Sequence, residues 1–381
     1  RFMGKMSLGE RYQTEFEPME QKSVEVLPLT TNYVFEAAGV RLGLSFMTPL
    51  LMDDLKLMSR PISYIDYTLT ALDGKEHDVK LYFDVGAELA VNTFDQEVTL
   101  DRTEYSLTAS MGNDLMLQHS GDDHRIEWGT FHVIAPEHCM GAMSLRHYQK
   151  MIQDEYGNRL WPVNQMNTQG PRGELRGPAG YPVYEKHSVH PYYPTLYVRK
   201  DYVTEEGEIE DHIALGYDDV KSIQYFGENI EAYWRKDGDD FNIIMNKAIR
   251  EYEEILEKVT EFEEELLDKA RKISEKYADI ISLAYRQAVA GHKLTWHKGE
   301  MQFFSKENYS NGCIGTVDVT YPSIPLFLLY DPTLVEAMLN PVFRMLEEGL
   351  WKFEFAPHDV GTYPLANGQV YGYSYVHRAR R

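Results

Sequence analysis

The feature that most constrains this chain is a change of hydrophobic period near residue 239. Before it, apolar and polar residues alternate in twos. After it, they recur every three or four residues. One chain therefore has to build a β part and then an α part.

The alternation runs from Ser23 to about Tyr233. It is clearest at 79–85 and 41–46, and looser at 62–69. Shorter candidates are 195–199, 212–215 and 223–226. Asp73-Gly74, Met111-Gly112-Asn113, Gly121-Asp122-Asp123 and Glu205-Glu206-Gly207 supply turn chemistry between them. Many short strands with Gly, Asn and Asp turns predict an antiparallel sandwich. Residues 158–193 interrupt the pattern. Pro171, Pro178, Pro182 and Pro191 there resist helix and central strand, so this is read as a surface loop, with a lid or an interdomain contact as the alternative. His187 and His190 are read as loop residues.

From Asp239 to Val289 there is neither Pro nor Gly. Phe241, Met245, Ala248, Tyr252, Ile255, Val259, Phe262, Leu266, Ala270, Ile273, Tyr277, Ile280 and Ala284 form one helical stripe. Asp239 and Asp240 suit its start and Gly291 its stop. The length predicts two helices meeting near Thr260, a linker helix and then a core helix, with a coiled-coil dimer as the other reading. The Glu-rich run 251–265 reads as a solvated face. Residues 294–325 read as loop or short hairpin. Asp331-Pro332 then opens another helix reaching about Trp351.

Composition removes several functions. Lys and Arg number 38 against 60 Asp and Glu, a net charge of −22, which repels nucleic acid. Aromatics are 13 % of residues, unlike a disordered chain. No run is long and apolar enough to span a membrane. The two cysteines, Cys139 and Cys313, read as unpaired buried thiols. Hydrolase-elbow, dinucleotide, Walker and zinc-helix motifs are absent, and no cofactor or metal is expected. The acidic pairs Asp122-Asp123 and Asp218-Asp219 lack calcium-loop spacing.

What remains is carboxylate and imidazole chemistry on two decorated segments. One crowds Glu307, Asn308, Ser310, Asn311, Thr316 and Asp318 among apolar neighbours; the other carries His358 and Asp359. Asp318, between Val317 and Val319, is expected to be partly buried, which would raise its pKa and suit a general acid or base. The plainer readings are a hydrogen-bond hub at Asp318 and a stapled turn at 358–359. As neighbours in sequence, His358 and Asp359 are expected to grip a polar ligand rather than each other.

Residues 303–328, FFSKENYSNGCIGTVDVTYPSIPLFL, and 355–364, FAPHDVGTYP, resemble the glutaminase A family of fungi and bacteria. Residues 290–294 and 125–131 are similar to it too. The resemblance implies a β-sandwich N-terminal domain followed by a six-helical-hairpin (α/α)6 toroid. It also implies an exported protein that hydrolyses L-glutamine to glutamate and ammonia. On that footing Asp318 is expected to act as general base or nucleophile, with His358 and Asp359 orienting substrate or water. Lys306, Glu307 and Asn311 would bind the α-carboxylate and α-amino groups, and Thr316, Thr362 and Tyr363 would complete the substrate site. The sandwich is assigned to residues 1–236, with its start expected to lie before Arg1. The linker helix and an incomplete toroid are assigned to 237–381.

A closed toroid needs about twelve helices, so the segment from 239 on holds only the first few and leaves helix faces open. Weak or no activity is therefore expected of this polypeptide alone, and the tail 373–381 departs from the family. Two other functions stand beside glutaminase. One is an α-toroid glycoside hydrolase using Asp318 or Asp359 with a second carboxylate beyond this chain. The other is a non-catalytic binding module. The partner expected is a small molecule, glutamine or a sugar; oligomeric state is left open. The two segments must line one cleft for catalysis to have a basis.

Overall fold

A computed structural model describes residues 18–92, 96, 98–111, 116–122, 124–144, 175–176, 182–183, 194–204, 207–307 and 310–370. Most of the 158–193 excursion, with His187 and His190, lies outside the described residues. So do Asn113, Asp123, Glu205, Asn308 and the 373–381 tail.

The β part opens with β1 (Glu20–Val26), β2 (Thr30–Ala37) and β3 (Val40–Met47), a short helix α1 (Leu55–Ser59), then β4 (Ile62–Ala71) and β5 (His77–Gly86). It continues with β6 (Val98–Arg102), β7 (Ser106–Met111), β8 (Thr130–Ile134) and β9 (Met140–Ser144). A two-residue ladder, β10 (Leu175–Arg176) with β11 (Pro182–Val183), precedes the long strands β12 (Pro194–Thr204) and β13 (Glu208–Asp218). One sheet has the order β1-β2-β3-β4-β13-β8-β7-β6; a second is β5-β12-β9. Period-two alternation sends Phe35, Leu42, Leu44, Tyr67 and Leu69 into a core shared with Leu196 and Val198 of the smaller sheet. The expected sandwich is therefore present.

The large sheet is covered on its other face as well. Met47, Ile62 and Tyr64 pack with Phe241, Ile244, Val259, Tyr285 and Met338 from the helices. The helical run is three helices: α2 (Phe241–Arg250), α3 (Tyr252–Arg271) and α4 (Glu275–Ala290). This corrects the break expected at Thr260, which lies inside α3. The chain turns at Glu251 and again before Ser274, whose side chain caps α4 by accepting from Tyr277 N. Ser274 is the helix-start signal the stripe concealed.

The solvated-face reading of 251–265 fails at Glu263. Its carboxylate is buried and accepts from Leu29 N (2.6 Å), Thr30 N (2.8 Å) and Thr30 Oγ1 (2.9 Å). A side chain in the middle of α3 thus takes up two strand-end donors that would otherwise be buried unpaired. Arg286 of α4 serves the adjoining acceptors, donating to the carbonyls of Leu27 and Thr30 and to Thr31 Oγ1.

A further sheet takes strands from both sides of residue 237. It contains β14 (Ile223–Tyr225), β15 (Glu228–Ala232), β16 (His292–His297), β17 (Glu300–Ser305), β18 (Cys313–Ile314), β19 (Gly361–Thr362) and β20 (Leu365–Ala366). The order is β17-β16-β15-β14-β20-β19-β18, with β14 parallel to β20. Its core joins Ile223, Phe304, Ile314, Val342, Trp351 and Val360.

The loop expected through Pro325 ends sooner. Helix α5 (Val317–Tyr330) begins right after β18 and contains Pro322 and Pro325. Their rings argue against helix locally, yet apolar packing keeps the turn, with Phe327 fully buried beside Phe303. Helix α6 (Pro332–Glu347) starts as expected, with Pro332 in its first turn and Asp331 capping Thr333 N. The helices and the turn between α3 and α4 leave large apolar side chains open, among them Ile273, Ile280, Tyr321 and Leu329, each more than 60 % exposed.

Candidate functional site

The two decorated segments come together at the edge of the mixed sheet. Cys313 pairs with Thr362 and Ile314 with Gly361 across β18 and β19. Val317 N donates to His358 O (2.8 Å), and Val360 N to Ile314 O (3.0 Å). Gly315 has φ +58°, and a Cβ there would meet Val360 Cγ2 at 2.6 Å, so this crossing needs glycine.

His358 is the centre of the cluster. Its Nδ1 lies 2.9 Å from Asp359 Oδ2. Its Nε2 lies 3.9 Å from both Glu307 Oε1 and Asp318 Oδ2. The burial of the carboxylates differs sharply: Asp359 is fully buried, the Glu307 side chain is 10 % exposed and that of Asp318 is 70 % exposed. This corrects two expectations. Asp318 is not buried; it projects from the first turn of α5, where the flanking valines turn away and the helix dipole favours its charge. And His358 and Asp359 do bond each other, because the backbone reverses at Gly361, whose N donates to Asp359 Oδ1 (3.0 Å).

The electrostatics follow from that arrangement. Burial works against a charged His358, but the hydrogen bond and charge of Asp359, with Asp318 and Glu307 nearby, outweigh it and hold the imidazole above its usual pKa. Burial raises the Asp359 carboxyl, and its bond to His358 only partly offsets this. Burial also pushes the Cys313 thiol well up, with Asp359 adding to the shift. This thiol is no nucleophile at neutral pH.

The other expected residues divide. Glu307 Oε2 accepts from Ser310 Oγ (2.6 Å) and from the Asn311 amide, while Asn311 Oδ1 accepts from Cys313 N (2.7 Å). Asn311 thus shapes the loop that holds Glu307. The Lys306 ammonium lies 4.4 Å from the ring centre of Tyr363. Thr316 and Thr362 are buried, and their hydroxyls lack partners among the described residues. Burial raises the Tyr363 phenol, whose ring stacks on Trp128 of the β part.

Trp128 shows what the sequence reading missed: the sandwich touches this site. Gly121 N donates to Tyr363 O (3.4 Å), and Asp122 Oδ1 accepts from Gly312 N (3.2 Å). The segment 125–131 anchors that contact through buried Glu127, which binds His119 and Gln96. Its only sequence signal was the motif itself.

Glu307, Asp318 and His358 place ligand atoms within 4.8 Å of one another, as do Cys313, His358 and Asp359, so either group could hold a metal ion. The arrangement offers an imidazole oriented by a buried carboxylate and faced by two further carboxylates. It can move a proton and receive a cationic group.

Comparison with known proteins agrees with this architecture. Residues 274–377 match the glutaminase A six helical-hairpin domain, and residues 29–168 and 184–269 match a domain of unknown function, DUF5127. The chain belongs to the glutaminase A family. Glutaminase A of Aspergillus oryzae is 25 % identical over 347 residues, covering 87 % of this chain and 47 % of the relative. A probable glutaminase of Arthroderma benhamiae is 31 % identical over 90 residues, 24 % of this chain and 10 % of the relative. The chain therefore spans about half the length of the Aspergillus glutaminase A. Among solved structures, heparan sulfate lyase HepC of Pedobacter heparinus aligns at 7 % identity with a TM-score of 0.27, covering 60 % of this chain and 25 % of that one; so low a score carries no argument. No described helix is long and apolar enough to cross a membrane.

Proposed function

We propose that the chain carries a glutaminase A-type amidohydrolase site, hydrolysing L-glutamine to L-glutamate and ammonia. The observation that supports it best is the meeting of the two segments at His358, with buried Asp359 behind it and Glu307 and Asp318 in front.

Asp359 fixes the tautomer, so Nδ1–H donates and Nε2 is left to accept a proton. A water at Nε2 gives up that proton as its oxygen bonds to the side-chain amide carbon. The imidazolium returns the proton to the departing nitrogen, the C–N bond breaks and ammonia leaves. This moves proton transfer from Asp318 to His358. Asp318 and Glu307 steady the imidazolium and meet the substrate's α-ammonium, and Lys306 takes its α-carboxylate. Asn311 holds Glu307 in place, and Thr316, Thr362 and Tyr363 form the floor beneath. The fungal glutaminases among the relatives favour an exported protein.

A second reading has one specific observation behind it. The facing carboxylate oxygens of Glu307 and Asp318 lie within 4.8 Å. That is near the separation of about 5 Å used by retaining glycosidases.

The test is ammonia release from L-glutamine by the full-length protein, with His358→Gln and Asp318→Asn beside it. Turnover abolished by His358→Gln and reduced by Asp318→Asn is the expected result. Turnover that survives His358→Gln overturns the assignment. Sugar release from aryl-glycosides with no ammonia selects the second reading.

A further inference from the structure

Three ligating side chains from distant points of the chain converge on one gap. Glu307 follows β17, Asp318 stands in the first turn of α5, and His358 comes just before β19. His358 Nε2 lies 3.9 Å from Glu307 Oε1 and 3.9 Å from Asp318 Oδ2. The ligand atoms of all three lie within 4.8 Å of one another. His358 and Asp318 are exposed, so the gap is open to solvent. Glu307 is held from behind: its Oε2 accepts from Ser310 and Asn311, which leaves Oε1 turned to the gap.

The imidazole is set up as a ligand and not only as a base. A histidine that binds a metal ion almost always donates its other ring N–H to a carboxylate or carbonyl, which fixes the tautomer and aims the free nitrogen. Asp359, fully buried, plays that part at Nδ1 from 2.9 Å. In a tetrahedral site with bonds of about 2.0–2.1 Å, ligand atoms stand about 3.3 Å apart. The two gaps of 3.9 Å approach that value with a small swing of Asp318, whose side chain is exposed and free to move. Two carboxylates balance a divalent charge, and the solvent side leaves a fourth position for water. An imidazole beside two carboxylates suits zinc-like ions, whereas calcium and magnesium take oxygen ligands. The neighbouring group of Cys313, His358 and Asp359 is the weaker candidate, since it would have to break the His358–Asp359 bond around a fully buried thiol.

We propose that Glu307, Asp318 and His358 form a binding site for a divalent transition-metal ion such as Zn²⁺. Bound there, the ion takes the Nε2 lone pair that would otherwise accept a proton from water. It therefore holds glutamine hydrolysis off until it leaves. That consequence rests on the glutaminase reading; the binding itself does not. Sequence spacing gives no sign of such a site, because its ligands come from residues 307, 318 and 358 and only the fold brings them together.

Calorimetric titration of the metal-free full-length protein with zinc chloride tests it, together with the visible spectrum on adding cobalt chloride. Saturable binding of Zn²⁺ at micromolar concentration is expected, at least tenfold tighter than Mg²⁺ or Ca²⁺, with a visible Co²⁺ band that Zn²⁺ abolishes. Asp318→Asn alters an exposed side chain, so the melting temperature should hold while Zn²⁺ affinity falls at least tenfold. Asp359→Asn touches no ion, yet it should weaken Zn²⁺ by about 10–100-fold through the orientation of His358. In the ammonia assay Zn²⁺ should inhibit and a chelator restore turnover. No saturable Zn²⁺ binding, or affinity unchanged in Asp318→Asn (an adventitious ion only), overturns the site. Turnover raised by Zn²⁺ overturns the inhibition. A protein that releases no ammonia with or without metal defeats the glutaminase reading alone, because the calorimetry and the Co²⁺ band still decide the site.

Discussion

Asp359, fully buried, accepts the Nδ1 proton of His358 across 2.9 Å. Two residues adjacent in sequence thereby form an oriented pair, and the glycine two places on makes it geometrically feasible. Gly361 has φ +149°, and a Cβ there would stand 1.9 Å from Leu365 O.

Asp359→Asn keeps the shape of this pair but lets the imidazole take the wrong tautomer. Glutamine turnover should fall by about 10²–10⁴, with KM little changed. Steady-state kinetics with a circular-dichroism check of folding reads this; unaltered kcat would remove Asp359 from the mechanism.

The pH profile tests the raised pKa of His358. The neutral imidazole is the proton acceptor, so kcat/KM should rise with pH through an acid limb above about 6.5, the ordinary histidine value. Asp318→Asn and Glu307→Gln remove charges that sustain the shift, so each should move that limb to lower pH. The stability link has the same sign. His358 stabilises the fold fully below about pH 6.5, and its contribution fades as pH rises through the raised folded-state pKa. A limb that does not move in either variant contradicts the proposed electrostatics.

His132 behaves in the opposite sense. It is buried against Phe241, with ring centres 3.8 Å apart, and burial pushes its pKa down to about 4. Its neutral form stabilises the fold above about pH 6.5, and that contribution is lost as pH falls toward 4, on the order of 3 kcal/mol in all. Urea titrations of the wild type and His132→Asn should therefore converge across this window. A constant difference between them from pH 7 to 4 would exclude His132 as a source of acid lability.

Glu263→Ala leaves the amides of Leu29 and Thr30 buried without an acceptor. It should cost about 2–4 kcal/mol of unfolding free energy, with Glu263→Gln milder. Denaturant midpoints measure this, and a loss below about 0.5 kcal/mol would make the contact incidental.

Gly361→Ala tests the loop without touching a charge. Strain at φ +149° and the clash with Leu365 O should displace Asp359, lowering both the melting temperature and glutamine turnover. Wild-type values of both would show that the loop accommodates the methyl.

Much of this protein was legible from its residues. Period-two alternation gave the strands, because a sheet with buried faces must sort its side chains by twos. Pro332 and the motifs around residues 307–318 and 355–364 marked a helix start and the family. Other features depended on partners distant in sequence. The stripe over 239–289 could not show its breaks, since a cap such as Ser274 differs little from any exposed serine. Glu263 looks like every glutamate around it until Leu29 and Thr30 arrive from the first strands.

The exposure of Asp318 was beyond local reading for a similar reason. Flanking valines say that neighbours are buried, but in the first turn of a helix adjacent side chains point in different directions. The sequence by itself determined the order of folds, the net acidity of the chain and the identity of the candidate site's residues, because these follow from period, charge and motif. Only the tertiary structure decided which carboxylate is buried and which is open, that His358 and Asp359 face each other, and that Trp128 of the sandwich stacks beneath the site. Those outcomes depend on which distant backbone fills the space around each group, and no local pattern encodes that.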